Sequence, residues 1–185
     1  MLVAVAACAV ALASGCKRGP KTPEEAFLKL ERAVAAGDAA DFYKLLDGQT
    51  RSLVADTYEK ERLQRTVILA KFPQAEQQKA LAELEAAGEP DAERYFVKVA
   101  TAQRFVTGYR KRLGSVSGPV KTKPDGADVW VARQDGMPFR FAKNLDGSWG
   151  FVELRAEWAL SKDRATHAVK TVRENAALYE KAGSQ

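Results

Sequence analysis

The sequence predicts an α+β fold: N-terminal and middle helices packed on a three- or four-stranded antiparallel meander sheet, followed by a C-terminal helix. Three observations predict it. From residue 22 to residue 113 apolar side chains recur at helical spacing, punctuated by Gly and Pro. From Gly114 to Leu154 the chain turns to β-branched and aromatic residues around three Asp-Gly pairs. After Ser161 helical spacing returns. With 185 residues, 46% hydrophobic and 29% charged, the chain fits one folded domain and excludes wholesale disorder.

Residues 1–16 read MLVAVAACAVALASGC and carry no charged side chain. The apolar run from Leu2 to Ala13 suits a signal h-region and falls short of the roughly 20 residues a spanning helix needs. Its small-residue ending, Ala13-Ser14-Gly15 before Cys16, resembles the bacterial lipobox. Ala13 stands where that pattern prefers Leu, and no Lys or Arg follows Met1. The resemblance implies a leader over 1–15, lipidation at Cys16, a lipidated tether over 16–21 and a single periplasmic α+β domain over 22–185. The partner it implies is a lipid bilayer, held through palmitate-type acyl chains. Lys17 in place of Asp after the cysteine points to the outer membrane, with the domain facing the periplasm. Cys8 would leave with the leader, so no free thiol would remain for a disulfide, a Cys-based metal site or thiol catalysis.

Residues 17–21, KRGPK, read as a flexible basic tether. Thr22-Pro23-Glu24-Glu25 then predicts a helix start with a capping box, and Ala26, Phe27, Leu30, Ala33 and Val34 form its apolar stripe. Gly37 ends it, and Asp38 caps a short helix that turns Phe42, Leu45 and Leu46 inward. Asp47-Gly48 reads as a turn. A longer helix follows from Thr50 to Phe72, stopped by Pro73. Residues 74–87 predict a peripheral helix, and Gly88-Glu89-Pro90 breaks it. Asp91 caps one continuous amphipathic helix with Tyr95, Val99, Ala102, Val106, Tyr109 and Leu113 on its apolar face. Asp125-Gly126, Asp135-Gly136 and Asp146-Gly147 predict hairpin turns. Between them run Val129-Trp130-Val131, then Phe139 and Phe141, then Trp149-Gly150-Phe151-Val152. Ser161 caps the last helix, with Ala165, Val169, Val172, Ala176 and Tyr179 inward.

The segment from Thr22 to Asp47, TPEEAFLKLERAVAAGDAADFYKLLD, resembles the opening helices of the nuclear transport factor two-like superfamily. NLDGSWGFVEL resembles that superfamily's last strands. Two features depart from it: residues 50–113 look wholly helical, and a helix follows the last strand. The resemblance implies a small-ligand or enzymatic pocket inside a curved sheet, which Tyr43, Asp56 and Tyr58 would line.

Catalytic patterns are missing. His167, the one histidine, lies off the apolar face beside Asp163. Ser115 and Ser117 flank turns and build no triad. Glu24/Glu25 complement a helix dipole, and Glu83/Glu85 belong to a solvated face. No phosphate loop, zinc or calcium motif occurs, so no metal or cofactor is expected. Charge is more informative. Residues 94–143 hold 11 basic and 3 acidic side chains, net +8, whereas residues 17–93 are net −3. Arg110, Lys111, Arg112, Lys121, Lys123, Arg140 and Lys143, with Arg133, form a candidate anion-facing patch. Its partner would be a lipid headgroup, a cell-wall polymer or an acidic envelope protein; export excludes nucleic acid. The sequence thus predicts a non-catalytic binding or interaction domain on a lipid anchor.

Overall fold

The computed structural model describes residues 19–113 and 118–182. The leader, Cys16, Lys17, Ser115 and Ser117 lie outside the described residues. Seven α-helices, one 3-10 turn and four strands follow in order among those described. They are α1 (Pro23–Ala36), α2 (Ala39–Lys44), α3 (Gly48–Lys71), α4 (Gln74–Ala82), the 3-10 turn Ala86–Gly88, α5 (Ala92–Ala102) and α6 (Phe105–Leu113). Strands β1 (Val120–Asp125), β2 (Asp128–Arg133), β3 (Phe139–Lys143) and β4 (Trp149–Phe151) precede α7 (Arg155–Ala182). The α+β expectation holds: the sheet is a four-stranded antiparallel meander in the order β1-β2-β3-β4.

The start of α1 forms as its residues dictate. Thr22 accepts from the Glu25 amide at 3.1 Å and Pro23 fills the first turn. Glu25 reaches one residue further back than a capping box requires, accepting from the Lys21 amide at 2.8 Å. Gly37, at φ 70°, closes the helix in the left-handed conformation that a side chain resists. Ala26, Phe27, Leu30, Ala33 and Val34 are buried against the sheet. Each large apolar side chain among them contributes about 1.5–3 kcal/mol.

The tether is shorter than the sequence predicts. Pro20 is buried, and its carbonyl accepts from the Trp149 amide at 2.9 Å, so residues 19–21 belong to the fold. Gly19 passes so near the β3–β4 turn that a Cβ there would stand 2.7 Å from the Ser148 Cβ.

Asp47-Gly48 is a helix cap rather than a turn. The Asp47 carboxylate, 2% exposed, accepts from the Gln49 amide at 2.8 Å, the Thr50 amide at 3.4 Å and the Thr50 hydroxyl. Its backbone amide donates to the Phe151 carbonyl at 3.0 Å, while the Phe151 amide donates to Leu45 at 2.7 Å. This short parallel bridge ties the α2–α3 junction to β4. Gly150 is needed there, because a Cβ would collide with the Asp47 backbone.

Two further expectations change. The continuous helix over 91–113 breaks at Gln103-Arg104, where Arg104 takes φ 51°. The cause is packing. Phe96 and Ala100 are the buried residues of α5 beside Tyr95, and at about 100° per residue they lie round the helix from the stripe of Val106, Tyr109 and Leu113. A straight helix cannot turn both faces inward; Ala102, expected inside, is exposed. The last helix starts at Arg155, six residues before Ser161, because Leu154 and Trp158 are both buried one turn apart. It runs parallel to α3, joined by Arg155–Asp47, Lys162–Asp56 and Lys71–Glu180.

The turns also sort out. Gly126 occupies the first central position of a two-residue loop at φ 62°, a II′-type hairpin. Gly147, at φ 80°, closes a three-residue loop in which the Asn144 amide meets the Ser148 carbonyl at 2.7 Å. The peripheral helix expected over 74–87 ends at Ala82: α4 buries nothing, but Leu84 and Ala87 after it are buried in an apolar cluster with Ile68, Phe72 and Ala176.

The Asp47 cap is testable. Asp47→Ala removes a cap and the partner of the Arg155 guanidinium, and should cost about 2–4 kcal/mol in urea unfolding. Gly150→Ala, an overpacking change, should cost about 1–3 kcal/mol. Unchanged midpoints for both would remove this joint from the account of the fold.

Candidate functional site

The predicted basic patch does not assemble as one surface. On the sheet, side chains alternate between faces. Register places Lys123, Trp130 and Arg140 in a row across three strands, on the face turned away from α1, and Lys121 shares it. Phe139, Phe141 and Lys143 belong to the opposite face, where the aromatic core lies.

The arginines have structural partners. Arg110 donates to the Ala35 carbonyl at 2.6 Å, at the C-terminal end of α1. Arg112 pairs with Glu153 at 2.8 Å and stands 5.1 Å from both the Tyr109 and Phe139 ring centroids. Burial first, then the Glu153 charge, pushes the Tyr109 hydroxyl up to about 12. Arg133 grips Glu31 through two bonds of 2.9 and 2.6 Å and the Gly118 carbonyl at 2.7 Å. Arg140 pairs with Asp128 at 2.8 Å and lies over Trp130, whose indole donates to Asp125 at 2.8 Å. Lys111, Lys121, Lys123 and Lys143 are exposed and make no ion pair with a described residue.

The pocket residues implied by the superfamily resemblance are likewise dispersed. Tyr43 packs on Phe96, with ring centroids 5.3 Å apart, and burial raises its hydroxyl. Asp56 accepts from Lys162 at 2.7 Å. The Tyr58 hydroxyl donates to the Glu89 carbonyl at 2.8 Å. The α1-facing side of the sheet is filled by Phe27, Phe139, Phe141, Phe151 and Tyr109, with centroids about 5.5–6.4 Å apart. His167 is exposed. Among the described residues no group of three or more His, Cys, Asp or Glu is placed to hold a metal ion. No described helix is long and apolar enough to cross a membrane.

A cleft of about 370 Å³ lies elsewhere, between α3, α5 and α7. Phe96, Phe105 and Trp158 form its apolar wall; Phe96 and Trp158 have centroids 5.8 Å apart. Glu61, Glu83, Glu157 and Arg164 supply charge, so Glu83, expected only on a solvated face, lines the cleft as well. Gln64 is held by its side-chain amide, which donates to the Ala165 carbonyl at 3.1 Å. Burial holds the Glu61 carboxyl above the usual carboxylate range, and the Tyr95 hydroxyl directed at it opposes that shift. Burial first, and then the Glu61 charge, raises Tyr95 in turn. Tyr95 stands 5.5 Å from Tyr58 and 6.2 Å from Trp158, ring to ring. A desolvated carboxyl beside an aromatic wall attracts an organic cation, or can exchange a proton with a bound ligand.

Reading the sequence alone missed this cleft. Glu61 stands on a helix with a weak apolar stripe, and Trp158 precedes the expected start of the last helix. The available signal was Glu61 and Gln64, three apart on one helix face, with Tyr95 and Phe96 on a neighbouring one. No protein-family model, curated protein or solved structure matches the chain.

The Glu61 environment makes a pH prediction. Below about pH 4.3 the carboxyl is protonated in both folded and unfolded chains. As pH rises through the raised folded value, the folded state must ionise a half-buried group, and stability is lost. Glu61→Gln should therefore flatten the stability curve above about pH 4.3, measured by urea midpoints. A variant curve parallel to wild type would mean a solvated Glu61.

Proposed function

We propose that this chain is an envelope lipoprotein anchored through Cys16, facing the periplasm from the outer membrane, whose folded domain is a non-catalytic binding module. The lipobox-like ending before Cys16 supports the anchor. The helical cleft supports the binding role, and its pairing of a desolvated Glu61 with the Phe96–Trp158 wall carries the reading. Carboxylates outnumber the single Arg164 among its charges, which favours a small organic cation with an apolar body.

A second reading has one specific observation in its favour. The Glu61–Tyr95 pair joins two proton-bearing groups in a cleft, as acid–base catalysis requires. The non-catalytic reading is preferred because the one hydroxyl nucleophile lining the cleft, Ser161, accepts from Arg164 at 3.2 Å and is bonded to no base among the described residues.

Trp158 is a reporter for the cleft once Trp130→Phe and Trp149→Phe leave it as the sole indole. Benzylammonium should quench or shift its emission saturably, and neutral benzyl alcohol should do so at least about tenfold more weakly, equivalent to about 1.4 kcal/mol. Glu61→Gln should remove that preference. Equal weak effects of both probes would sink the cation-binding role. Unmodified Cys16 in the mass spectrum of the membrane-extracted protein would sink the anchor separately.

A further inference from the structure

Pro20 docks on β4 and Gly19 presses on the β3–β4 turn, so the position of the first described residue is fixed. From Cys16 to Gly19 there are three Cα–Cα steps of 3.8 Å, a reach of at most about 11 Å. A lipid on Cys16 would therefore hold the surface around Gly19 against the bilayer, with no long tether to let the domain turn over.

That surface is hollowed by a groove of about 590 Å³ beside Gly19 and Pro20. Lys29, Arg32 and Arg51 line it, and Lys21 is exposed beside it in the chain. Its acidic groups have other tasks. Asp38 caps α2 through the Ala40 and Asp41 amides, Asp41 pairs with Lys44 at 3.1 Å, and Asp146 accepts from the Ser148 amide and hydroxyl. Lys29 is held by Glu25 at 2.8 Å. Lys21, Arg32 and Arg51 make no direct ion pair with a described carboxylate; after its bonds to Ser148, the Arg51 charge helps hold the Asp146 carboxyl below its ordinary value, and Lys21, after Lys29, does the same for Glu25. The arginines of the patch predicted from residues 94–143 are thus tied up internally and only its lysines stay free, while two guanidinium groups from the acidic-on-average segment 17–93 make no direct ion pair with a described residue beside Gly19.

We propose that this groove-bearing surface, formed by Gly19–Lys21, α1, α2 and the first turn of α3, is the membrane-facing side of the domain, with Lys21, Arg32 and Arg51 contacting anionic lipid headgroups. The proposal rests on the Cys16 anchor. Unpaired guanidinium groups suit it, because they bind phosphate oxygens through two parallel bonds. A negative leaflet attracts such groups only within a screening length, about 10 Å at 0.1 M salt, which the short connection satisfies.

The test uses the full chain, exported and processed in cells, then reconstituted into vesicles of phosphatidylcholine with or without phosphatidylglycerol. Ala36→Cys places a fluorophore at the groove, and Ala70→Cys places one about 33 Å further along α3, counted from Gly48. A headgroup-labelled quencher lipid should quench position 36 at least about twofold more than position 70 when phosphatidylglycerol is present, and about 1 M salt should erase the difference. Arg32→Gln with Arg51→Gln should lower quenching at position 36, whereas Lys121→Gln with Lys123→Gln should not. Equal quenching at both positions, or a difference indifferent to lipid charge, overturns the proposal even where the charge variants fold poorly. Vesicle flotation and the mass of the N-terminal peptide are read on the same samples. An acylated, floating protein without the contrast defeats the orientation alone; an unacylated one defeats the anchor reading and the orientation with it.

Discussion

The buried Asp47 carboxylate holds three parts of the molecule together. It caps α3, receives Arg155 from the start of α7, and sits on a backbone that is bridged to β4 through Phe151. Each contact alone is modest, about 1 kcal/mol for a cap and 1.5–3 kcal/mol for a charged hydrogen bond. Their value lies in geometry: α3 and α7 are launched side by side from the same edge of the sheet. A short hydrophobic side chain could fill the space, but it would leave the Gln49 and Thr50 amides and Arg155 without this acceptor. The neighbouring Gly48 amide extends the joint by donating to the Asn144 side chain at 2.7 Å, which ties the β3–β4 turn to the same point.

Two long parallel helices fixed at one end create the conditions for the cleft. Near Asp47 they are closed by salt bridges; at the far end Phe72 and Tyr179 meet at 4.9 Å within a second apolar cluster. Between these closures α5 packs in with Tyr95 and Phe96. Large rings do not fill the gap between three cylinders without leaving space, and the space left is where Glu61 is desolvated. Carboxyl burial is unfavourable for the fold by itself. Tyr95 offsets part of it by donating to the carboxylate.

The fold was legible in the sequence wherever a local rule acts alone. Thr22-Pro23, Gly37-Asp38, Pro73 and the Asp-Gly turns depend on backbone chemistry within four residues, and each stands near its expected place. Misreadings occurred where a distant partner decides. Asp47-Gly48 has the composition of a turn, and only Phe151 and Arg155, over 100 residues away, make it a capped joint. The stripe through Tyr95, Val99 and Ala102 is a sound helical pattern, yet Trp158 and Phe42 draw Phe96 inward and break the helix at Arg104. The candidate site failed for the same reason. Charge density along the chain located the block over 94–143, but the partners Glu31, Glu153 and Asp128 were invisible to a count.

Charge count and the availability of guanidinium groups therefore point to different surfaces. Arginines that the sequence groups by proximity are engaged internally: Arg133 and Arg140 by carboxylates on α1 and in the sheet, Arg112 by Glu153 after β4, and Arg110 by a carbonyl of α1. Arg32 and Arg51, spaced along separate helices within an acidic stretch, line the groove beside the chain's first described residues, Arg32 exposed and Arg51 half-buried. The Asp47 joint gives this placement a further consequence. It couples the β3–β4 turn, against which Gly19 and Pro20 lie, to the first turn of α3, and Glu61 stands about 20 Å along that helix from Gly48. On the anchored reading, the cleft would be joined to the anchoring surface through stiff helices rather than a loose tether. Glu61 stands about 15 Å along α3 from Arg51, farther than the screening length of about 10 Å, so the carboxylates of the cleft rather than the groove's cations would govern capture of a ligand there.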